Sequence, residues 1–267
     1  MSSARSLEAE QGLLLAAASE AAELALGYFH NGARAWTKGI NSPVTEADIA
    51  VDRLLRKRLL GDRPEYGFLS EESDDDGSRL SSQRSFIVDP VDGTRAFIAH
   101  DTDWTILIAL VEEGRPIASA IVAPARGETF RAVKGGGAFR NDRPIEVSTS
   151  ETLDGAKLAA SKRLLQSGVA GAPIAAQSVY FASLGYRLAC VADGRLDGAA
   201  IRPNAQDWDL AAVDLLVHEA GGALSNLDGS SARYDRSVTG HGAMVAGSPV
   251  ICSSLQRLVK SYLERGT

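Results

Sequence analysis

The order in which helical and strand periodicities follow one another constrains the fold of this chain most. Apolar residues recur with helical spacing over Leu7–His30 and again over Glu46–Leu60. Strand patterns follow, with a short apolar run at Phe86–Val88 and a hairpin within Trp104–Ala123. After residue 150 helical and strand patterns are mixed, without the regular alternation of a βαβ protein. This order predicts a mixed α/β sandwich built in layers.

The composition adds that a large core is available. The chain has 267 residues, of which 45% are hydrophobic and 23% charged, as in ordinary globular proteins. We find no repeat or low-complexity linker between the halves. We therefore expect residues 1–267 to form a single compact domain, with structural halves at about 1–150 and 151–267.

Charge and cysteine content narrow the class of protein. The formal net charge of −6 disfavours a protein that coats nucleic acid, whose surface would be basic. No apolar run approaches the about 20 residues of a membrane helix, and the N-terminal segment lacks the pattern of a signal peptide. The two cysteines, Cys190 and Cys252, form neither a disulfide framework nor a metal motif. We expect a cytoplasmic protein with no membrane or nucleic-acid partner.

The segment Asp89-Pro90-Val91-Asp92-Gly93-Thr94 carries the most chemical information. Pro90 cannot donate to a strand ladder, so the strand is expected to end there and the chain to turn both carboxylates to one side. Gly93 lets the backbone approach a ligand, and a helix opening at Thr94 would point free amides at an anion. Two carboxylates beside a phosphate require a hard cation, for which Mg²⁺ is suited. The alternative is two consecutive turns, Asp-Pro and Asp-Gly, without chemistry.

Further acidic residues lie upstream and downstream of this segment. Glu71-Glu72 follows an apolar pair at the expected end of a strand, where one of the two is a candidate ligand. The run Asp74–Asp76 has the composition of a solvated loop. Asp209, after Trp208, falls in the first turn of a predicted helix, where it is either a ligand or a partner of the helix dipole.

Taken together, these motifs resemble the signature of the inositol monophosphatase superfamily. The matching elements, in chain order, are Thr45-x-x-Asp48, Glu71-Glu72, Asp89-x-x-Asp92-Gly93-Thr94 and Trp208-Asp209-x-Ala211-Ala212. The resemblance spans roughly residues 30 to 250. It implies the αβαβα sandwich of the inositol monophosphatase and fructose-1,6-bisphosphatase fold. It also implies a Mg²⁺-dependent, lithium-sensitive phosphomonoesterase, in a family where homodimers are usual.

The resemblance assigns a role to each matching residue. The implied metal ligands, for two to three Mg²⁺ ions, are Glu71, Asp89, the Val91 carbonyl, Asp92 and Asp209. The implied catalytic residues are Asp48, Glu71 and Thr94, of which Asp48 and Thr94 would orient and help deprotonate the attacking water. The amides of Gly93 and Thr94 would hold the phosphate. Metal activation of water accounts for such hydrolysis without a covalent intermediate.

Two arginines bear on the substrate. Arg202 stands where inositol monophosphatases carry an acidic residue, and Arg187, within a predicted helix at Tyr180–Ala192, stands where bisphosphate nucleotidases carry a lysine. Because arginine binds phosphate in a bidentate manner, we favour a 3'(2'),5'-bisphosphate nucleotide as substrate. Inositol 1-phosphate and histidinol phosphate are the alternatives. Arg187 on a helix surface, Arg202 paired with a local carboxylate, and a metal-dependent binding protein without catalysis also remain open.

Overall fold

The computed structural model describes residues 6–38, 42–168 and 174–265. The helices are α1 Leu7–Asn31, α2 Glu46–Asp62, α3 Thr94–Ile98, α4 Lys162–Ser167, α5 Leu184–Ala192, α6 Asp207–Glu219 and α7 Pro249–Arg265. The strands are β1 Ala35–Lys38, β2 Ser42–Thr45, β3 Gly67–Ser70, β4 Arg84–Asp92, β5 Thr105–Glu112, β6 Arg115–Ala123, β7 Glu128–Val133, β8 Gly137–Arg140, β9 Arg143–Pro144, β10 Lys157–Ala159, β11 Gln177–Ser178, β12 Gly198–Ile201, β13 Ala223–Asn226 and β14 Met244–Gly247.

Two large sheets and three helical layers alternate through the described part of the molecule, and β1 and β2 form a separate two-stranded sheet. The seven-stranded sheet has the order β3-β4-β5-β6-β7-β8-β9, and the five-stranded sheet the order β11-β10-β12-β14-β13. Helices α1 and α2 pack on the outer face of the larger sheet, α5 and α6 lie between the sheets, and α7 with α4 covers the smaller sheet. This is the expected αβαβα sandwich, and the relatives described below share it.

Strand β5 shows why the larger sheet needs helices on both faces. Its side chains alternate between two apolar clusters, with Ile106, Ile108 and Leu110 in the cluster of α1 and α2. Leu107, Ala109 and Val111 belong to the cluster of α5 and α6. An uninterrupted apolar strand is the pattern of a sheet that is covered on both sides.

Helix α1 is long and apolar enough to span a membrane by length and composition alone. The mean hydropathy of its most apolar 18-residue window is 1.3, so the expectation that no segment reaches this range is wrong for α1. Core helices pass the same test, and 44% of this window is buried within the fold. Ala17, Ala18 and Ala21 are fully buried where α1 packs on the sheet. The observation is therefore weak evidence for a membrane.

The acidic run at residues 74–76 lies in an exposed loop, as expected, and one of its members also pairs with a buried arginine. Asp75 accepts hydrogen bonds from the Nε and Nη2 atoms of Arg79, at 3.1 and 2.9 Å. Arg79 is buried and also donates to Asp235, at 2.6 Å. The expected solvated loop is confirmed, and the sequence gives no signal of the buried arginine with which Asp75 pairs. Asp76 is exposed and accepts a hydrogen bond from the amide of Ser78.

The apolar contact between α2 and the larger sheet gives a test of this packing. Leu55 is fully buried in the cluster on the outer face of the sheet. Replacing it with alanine removes apolar contacts and leaves a cavity, so we expect Leu55→Ala to lose about 2–5 kcal/mol of unfolding free energy in urea titrations. Leu263→Ala is the matched control, since that helical leucine is 43% exposed and should change stability by less than about 0.5 kcal/mol. Equal losses in both variants would contradict the assigned packing.

Candidate active site

Strand β4 delivers two carboxylates to one side of the sheet through a bulge. Asp89 pairs with Leu107 of β5 and Asp92 pairs with Thr105, so three steps along β4 match two along β5. One extra residue restores the alternation, and the side chains at 89 and 92 therefore face the same side. The strand was expected to end at Pro90, which is wrong. Pro90 lies within the bulge, where its missing N–H breaks no regular ladder pair.

Asp209 joins these two carboxylates from the layer of helices between the sheets. One oxygen from each of Asp89, Asp92 and Asp209 lies within 4.8 Å of the others, and we call these residues the acidic cluster. Asp209 stands in the first turn of α6, where its Oδ2 accepts the amide of Gln206 at 2.6 Å. This bond ties one oxygen to the helix start and fixes the carboxylate beside those of β4.

Of the two adjacent glutamates, Glu71 is the one directed toward the cluster. Ser70 of β3 pairs in parallel with Val88 of β4, so Glu71 runs beside Asp89. The carboxylate of Glu72 forms an ion pair with Lys38 instead. Glu71 therefore remains the candidate ligand, while Glu72 has a cation of its own.

Burial and mutual repulsion raise the pKa values of these carboxylates in the protein without metal. Burial, followed by the charges of neighbouring carboxylates, raises the pKa of Glu71 to about 8 and that of Asp209 to about 7. The same causes, in the same order, raise the pKa of Asp89 well above its usual value. Clustered oxygen ligands with uncompensated charge suit a hard divalent cation, and Mg²⁺ is bound by such carboxylates. The donor set therefore fits the metal that the sequence implies.

Asp48 and Thr94 meet at the edge of the cluster. The Thr94 hydroxyl lies 3.1 Å from Asp48 Oδ1 and 3.2 Å from the Val91 carbonyl oxygen, and it can donate to either. Asp48 is held by the start of α2, where its Oδ2 accepts the amide of Thr45 at 2.9 Å. Burial raises the pKa of Asp48. The pair can therefore carry a proton between two fixed oxygens.

Gly93 is required by the backbone at this point. Its φ of +97° lies in the left-handed region. A Cβ atom there would lie 2.6 Å from the carbonyl oxygen of Asp103. The residue therefore lets the chain pass close to its own backbone between β4 and α3. Helix α3 begins at Thr94, as expected from the sequence.

The two arginines line one cleft, which we call the arginine cleft. It has a volume of about 430 Å³ and is bounded by the start of α5, the end of β12 and Tyr180. Arg187 donates to the carbonyl oxygen of Phe181 at 2.6 Å, while its buried Nε has no partner among the described residues. Arg202 is exposed and makes no ion pair with any described residue. Arg187 is therefore not a plain surface residue of a helix. Arg202 is not paired with a carboxylate of the described residues.

Tyr180 connects the arginine cleft to the pocket beside the acidic cluster. The phenol ring is 79% exposed and lies 5.6 Å from the Arg187 guanidinium. Tyr180 also lines the pocket beside the acidic cluster, which is formed in part by Glu71, Gly93 and Thr94. The helix expected over Tyr180–Ala192 begins only at Leu184, because Ser183 caps it and leaves Tyr180 in a loop. Tyr180 was missed in the sequence because helical periodicity concealed its exposure.

Ser183 was also missed as a site residue. Its hydroxyl donates to Asp92 Oδ2 at 2.5 Å, and its own oxygen accepts the amide of Tyr186 at 2.8 Å. A serine directly before a helical pattern is the usual signal of a helix start. That signal predicts the cap, and it holds no information on a carboxylate 91 residues away.

Comparison with known proteins agrees with this geometry. A model of the inositol monophosphatase family matches residues 8–264. The histidinol-phosphatase of Mycobacterium tuberculosis is 38% identical over 207 residues, which cover 72% of this chain and 77% of that protein. The inositol-1-monophosphatase of Rhizobium meliloti is 33% identical over 234 residues, covering 84% and 85%. The crystal structure of the extragenic suppressor protein SuhB from Bartonella henselae is 30% identical, with a TM-score of 0.82 over 94% of this chain and 98% of that one.

The raised pKa values predict how the stability of the metal-free protein depends on pH. Glu71 and Asp209 release protons near pH 8 and 7 in the folded state, against 4.5 and 3.8 ordinarily. At a pH between the ordinary pKa of each group and its raised pKa, the folded state binds more protons than the unfolded chain. The free energy of unfolding in EDTA should therefore fall as pH rises from 5 to 8. Urea titrations measure this slope.

Asp209→Asn provides the internal comparison, because asparagine keeps an acceptor for the Gln206 amide and has no charge to titrate. We expect its slope between pH 5 and 8 to be shallower than that of the wild type. Identical slopes in the two proteins would contradict the assigned cause.

Proposed function

The chain belongs to the inositol monophosphatase family of phosphoric monoester hydrolases, and from this premise we propose that it is a Mg²⁺-dependent phosphomonoesterase acting on a small phosphate ester. The observation that supports the metal most is the acidic cluster, in which one oxygen from each of three carboxylates lies within 4.8 Å of the others and the acidic neighbours raise the pKa of buried Asp89. A protein interior tolerates such a cluster only when a bound cation or protons offset its charge.

The proposed ligands form two sets, one for each of two metal ions. Glu71, Asp89 and the Val91 carbonyl would hold one ion, and Asp89, Asp92 and Asp209 a second, with two to three ions in the working enzyme. The adjacency of Glu71 to Asp89 along the β3–β4 pair supports the first set. The mutual approach of the three aspartates supports the second. When bound, Mg²⁺ lowers the pKa of a coordinated water and offsets the charge on the phosphoryl group.

The chain's own residues handle the proton in this reaction. Thr94 Oγ accepts a hydrogen bond from the attacking water while it donates its own hydrogen to Asp48 Oδ1, 3.1 Å away. Water forms a new P–O bond as the P–O bond to the leaving alcohol breaks. One water proton passes through Thr94 to Asp48, and the leaving oxygen takes up a proton from a solvent water, which gives the alcohol and inorganic phosphate. Burial raises the pKa of Asp48, which makes it a stronger base than an exposed aspartate.

The phosphate itself would rest on the turn between β4 and α3. The first amides of a helix have no acceptor within that helix, and here they belong to the segment starting at Gly93 and Thr94. Glu71, Gly93 and Thr94 line the same pocket, which supports a phosphate between the amides and the carboxylates.

The arginine cleft favours a substrate with a second anionic group. Arg187 and Arg202 both line one cavity, and the buried Nε of Arg187 has no partner among the described residues. A 3'(2'),5'-bisphosphate nucleotide has a second phosphate for these donors, whereas the hydroxyls of inositol offer neutral acceptors. Histidinol phosphate is the second candidate, because the relative of that name is 38% identical. Its ammonium group would be repelled by two arginines, and we therefore rank it lower.

Location and assembly form part of the same proposal. The family resemblance supports a homodimer, and the small phosphorylated substrate supports a cytoplasmic enzyme. Cys190 and Cys252 are both free and buried, which agrees with a reducing compartment.

Asp92→Asn tests the hydrolytic function. The change removes a ligand charge from the acidic cluster while keeping the volume of the side chain. Partners outside the ligand sphere already cost 10–100-fold when removed, so we expect Mg²⁺-dependent kcat/KM to fall by more than about 100-fold. Asp76→Asn is the control, since Asp76 is an exposed acid in the same stretch of sequence. A wild-type protein that binds Mg²⁺ and hydrolyses no phosphomonoester would indicate a metal-dependent binding protein instead.

Arg202→Glu tests the substrate class. Wild type and variant are assayed with adenosine 3',5'-bisphosphate, inositol 1-phosphate and histidinol phosphate, with and without lithium. Loss of a charge-assisted contact should lower kcat/KM for the bisphosphate by about 10- to 100-fold and leave inositol 1-phosphate nearly unchanged. Arg163→Glu, in the neighbouring groove outside the arginine cleft, is the matched control. An unaltered bisphosphate rate in Arg202→Glu would exclude the role assigned to that residue.

A further inference from the structure

Helix α5 begins against a carboxylate of the acidic cluster. The side chain of Ser183, the residue before the helix, is fully buried. Its hydroxyl donates to Asp92 Oδ2 at 2.5 Å, and its oxygen accepts the amide of Tyr186 at 2.8 Å. One hydroxyl therefore serves both as the helix cap and as a donor to a proposed metal ligand.

Two further groups converge on the same oxygen of Asp92. The amide of Gly185 donates to Oδ2 at 2.5 Å, and the Thr105 hydroxyl lies 3.3 Å from Oδ2. A Cβ atom on residue 185 would lie 2.9 Å from Oδ2, so glycine is what permits this approach. By contrast, Oδ1 receives one long contact from the residues that the structure describes, from the amide of Leu184 at 3.3 Å.

The hydrogen-bond distances favour one direction for this network. The Ser183 hydroxyl has one hydrogen, and an ionised carboxylate can only accept. The Thr105 and Ser183 hydroxyl oxygens are 2.9 Å apart. The Ser183 hydroxyl lies 2.5 Å from Asp92 Oδ2 and the Thr105 hydroxyl lies 3.3 Å from it, so the shorter hydrogen bond assigns the Ser183 hydrogen to Asp92 and leaves Thr105 to donate to Ser183. The two hydroxyls thus form a directed chain that ends on Oδ2.

We propose that Ser183 is a positioning residue for the metal site, which fixes Asp92 through Oδ2, so that Oδ1 would be the oxygen with which Asp92 helps to hold a metal ion. The inference rests on the proposed Mg²⁺-dependent function. Groups that hydrogen-bond to metal ligands orient them and contribute strongly to metal affinity. Arg187 lies one turn further along the same helix, with its amide donating to the Ser183 carbonyl at 3.3 Å. The serine therefore links the acidic cluster to the arginine cleft.

Calorimetric titration of the full chain with Mg²⁺ tests this role without any need for turnover. Ser183→Ala and Ser183→Gly both remove the hydroxyl, and each should weaken Mg²⁺ binding by about 10- to 100-fold. The two variants differ in capping, because glycine replaces a capping serine at little cost while alanine does not. Equal losses of affinity together with unequal thermal stability would therefore assign the effect to the contact with Asp92. If the variant that is less stable also loses more Mg²⁺ affinity, the positioning role of Ser183 is overturned.

Thr105→Val and Ser183→Thr complete the series. Valine at 105 removes the hydroxyl that orients Ser183 and should weaken Mg²⁺ binding by about 2- to 10-fold. Threonine at 183 retains the hydroxyl and should restore binding to near the wild-type value. Ser6→Ala, which removes the capping serine of α1 far from the cluster, should leave Mg²⁺ affinity unchanged.

The same measurements separate this inference from the proposed function. Wild-type affinity in Ser183→Ala, in a protein whose wild type hydrolyses phosphomonoesters with Mg²⁺, overturns the role of Ser183 alone. Weakened Mg²⁺ binding in Ser183→Ala, in a protein that hydrolyses none of the esters tested, supports the positioning role and overturns the proposed function.

Discussion

Repulsion between buried carboxylates is the constraint on which this structure depends. Asp89, Asp92 and Asp209 would separate if their side chains were free, because burial removes the water that screens like charges. Each is instead anchored by backbone: the first two by the bulged strand β4, which pairs with β3 and β5, and the third by the capped start of α6. The double apolar faces of β5 hold that strand in register. The interior packing thus supplies the rigidity that keeps a repulsive cluster assembled and ready for cations.

Much of this site could be predicted from the sequence because its central part is local. Asp89, Asp92 and Gly93 lie within five residues, so their spacing alone limits where the side chains go. The geometric reason was nevertheless different, since a bulge, not the end of a strand, brings the carboxylates together. Contacts across long separations left no such trace. Ser183 reaches Asp92 over 91 residues, and Arg79 reaches Asp235 over 156, and neither pair has a local pattern.

The sequence also cannot decide between chemically equivalent neighbours, and there the fold supplies the answer. Glu71 and Glu72 have the same charge and adjacent positions, yet only one of them meets the cluster. The parallel register of β3 with β4 sets Glu71 beside Asp89, and the β1 strand brings Lys38 to Glu72. Pairing across strands therefore distinguishes a candidate ligand from a carboxylate whose charge is already balanced. The periodicity of the sequence does not distinguish Glu71 from Glu72.

The acidic cluster and the arginine cleft, which we propose as the hydrolytic and the substrate-recognising parts of the site, belong to different layers. The acidic cluster rests mainly on the larger sheet, whereas Arg202 extends from the end of β12 in the smaller sheet. Helix α5 joins them, with its first amides on Asp92 and Arg187 one turn later. Under this arrangement, side chains around the arginine cleft can differ without displacing a carboxylate. Relatives of 33 and 38% identity are named for two different phosphate esters, which is what such a division of the site allows. The residues that set the substrate are then to be sought on β12 and α5, and those that set the metal on β3, β4 and the start of α6.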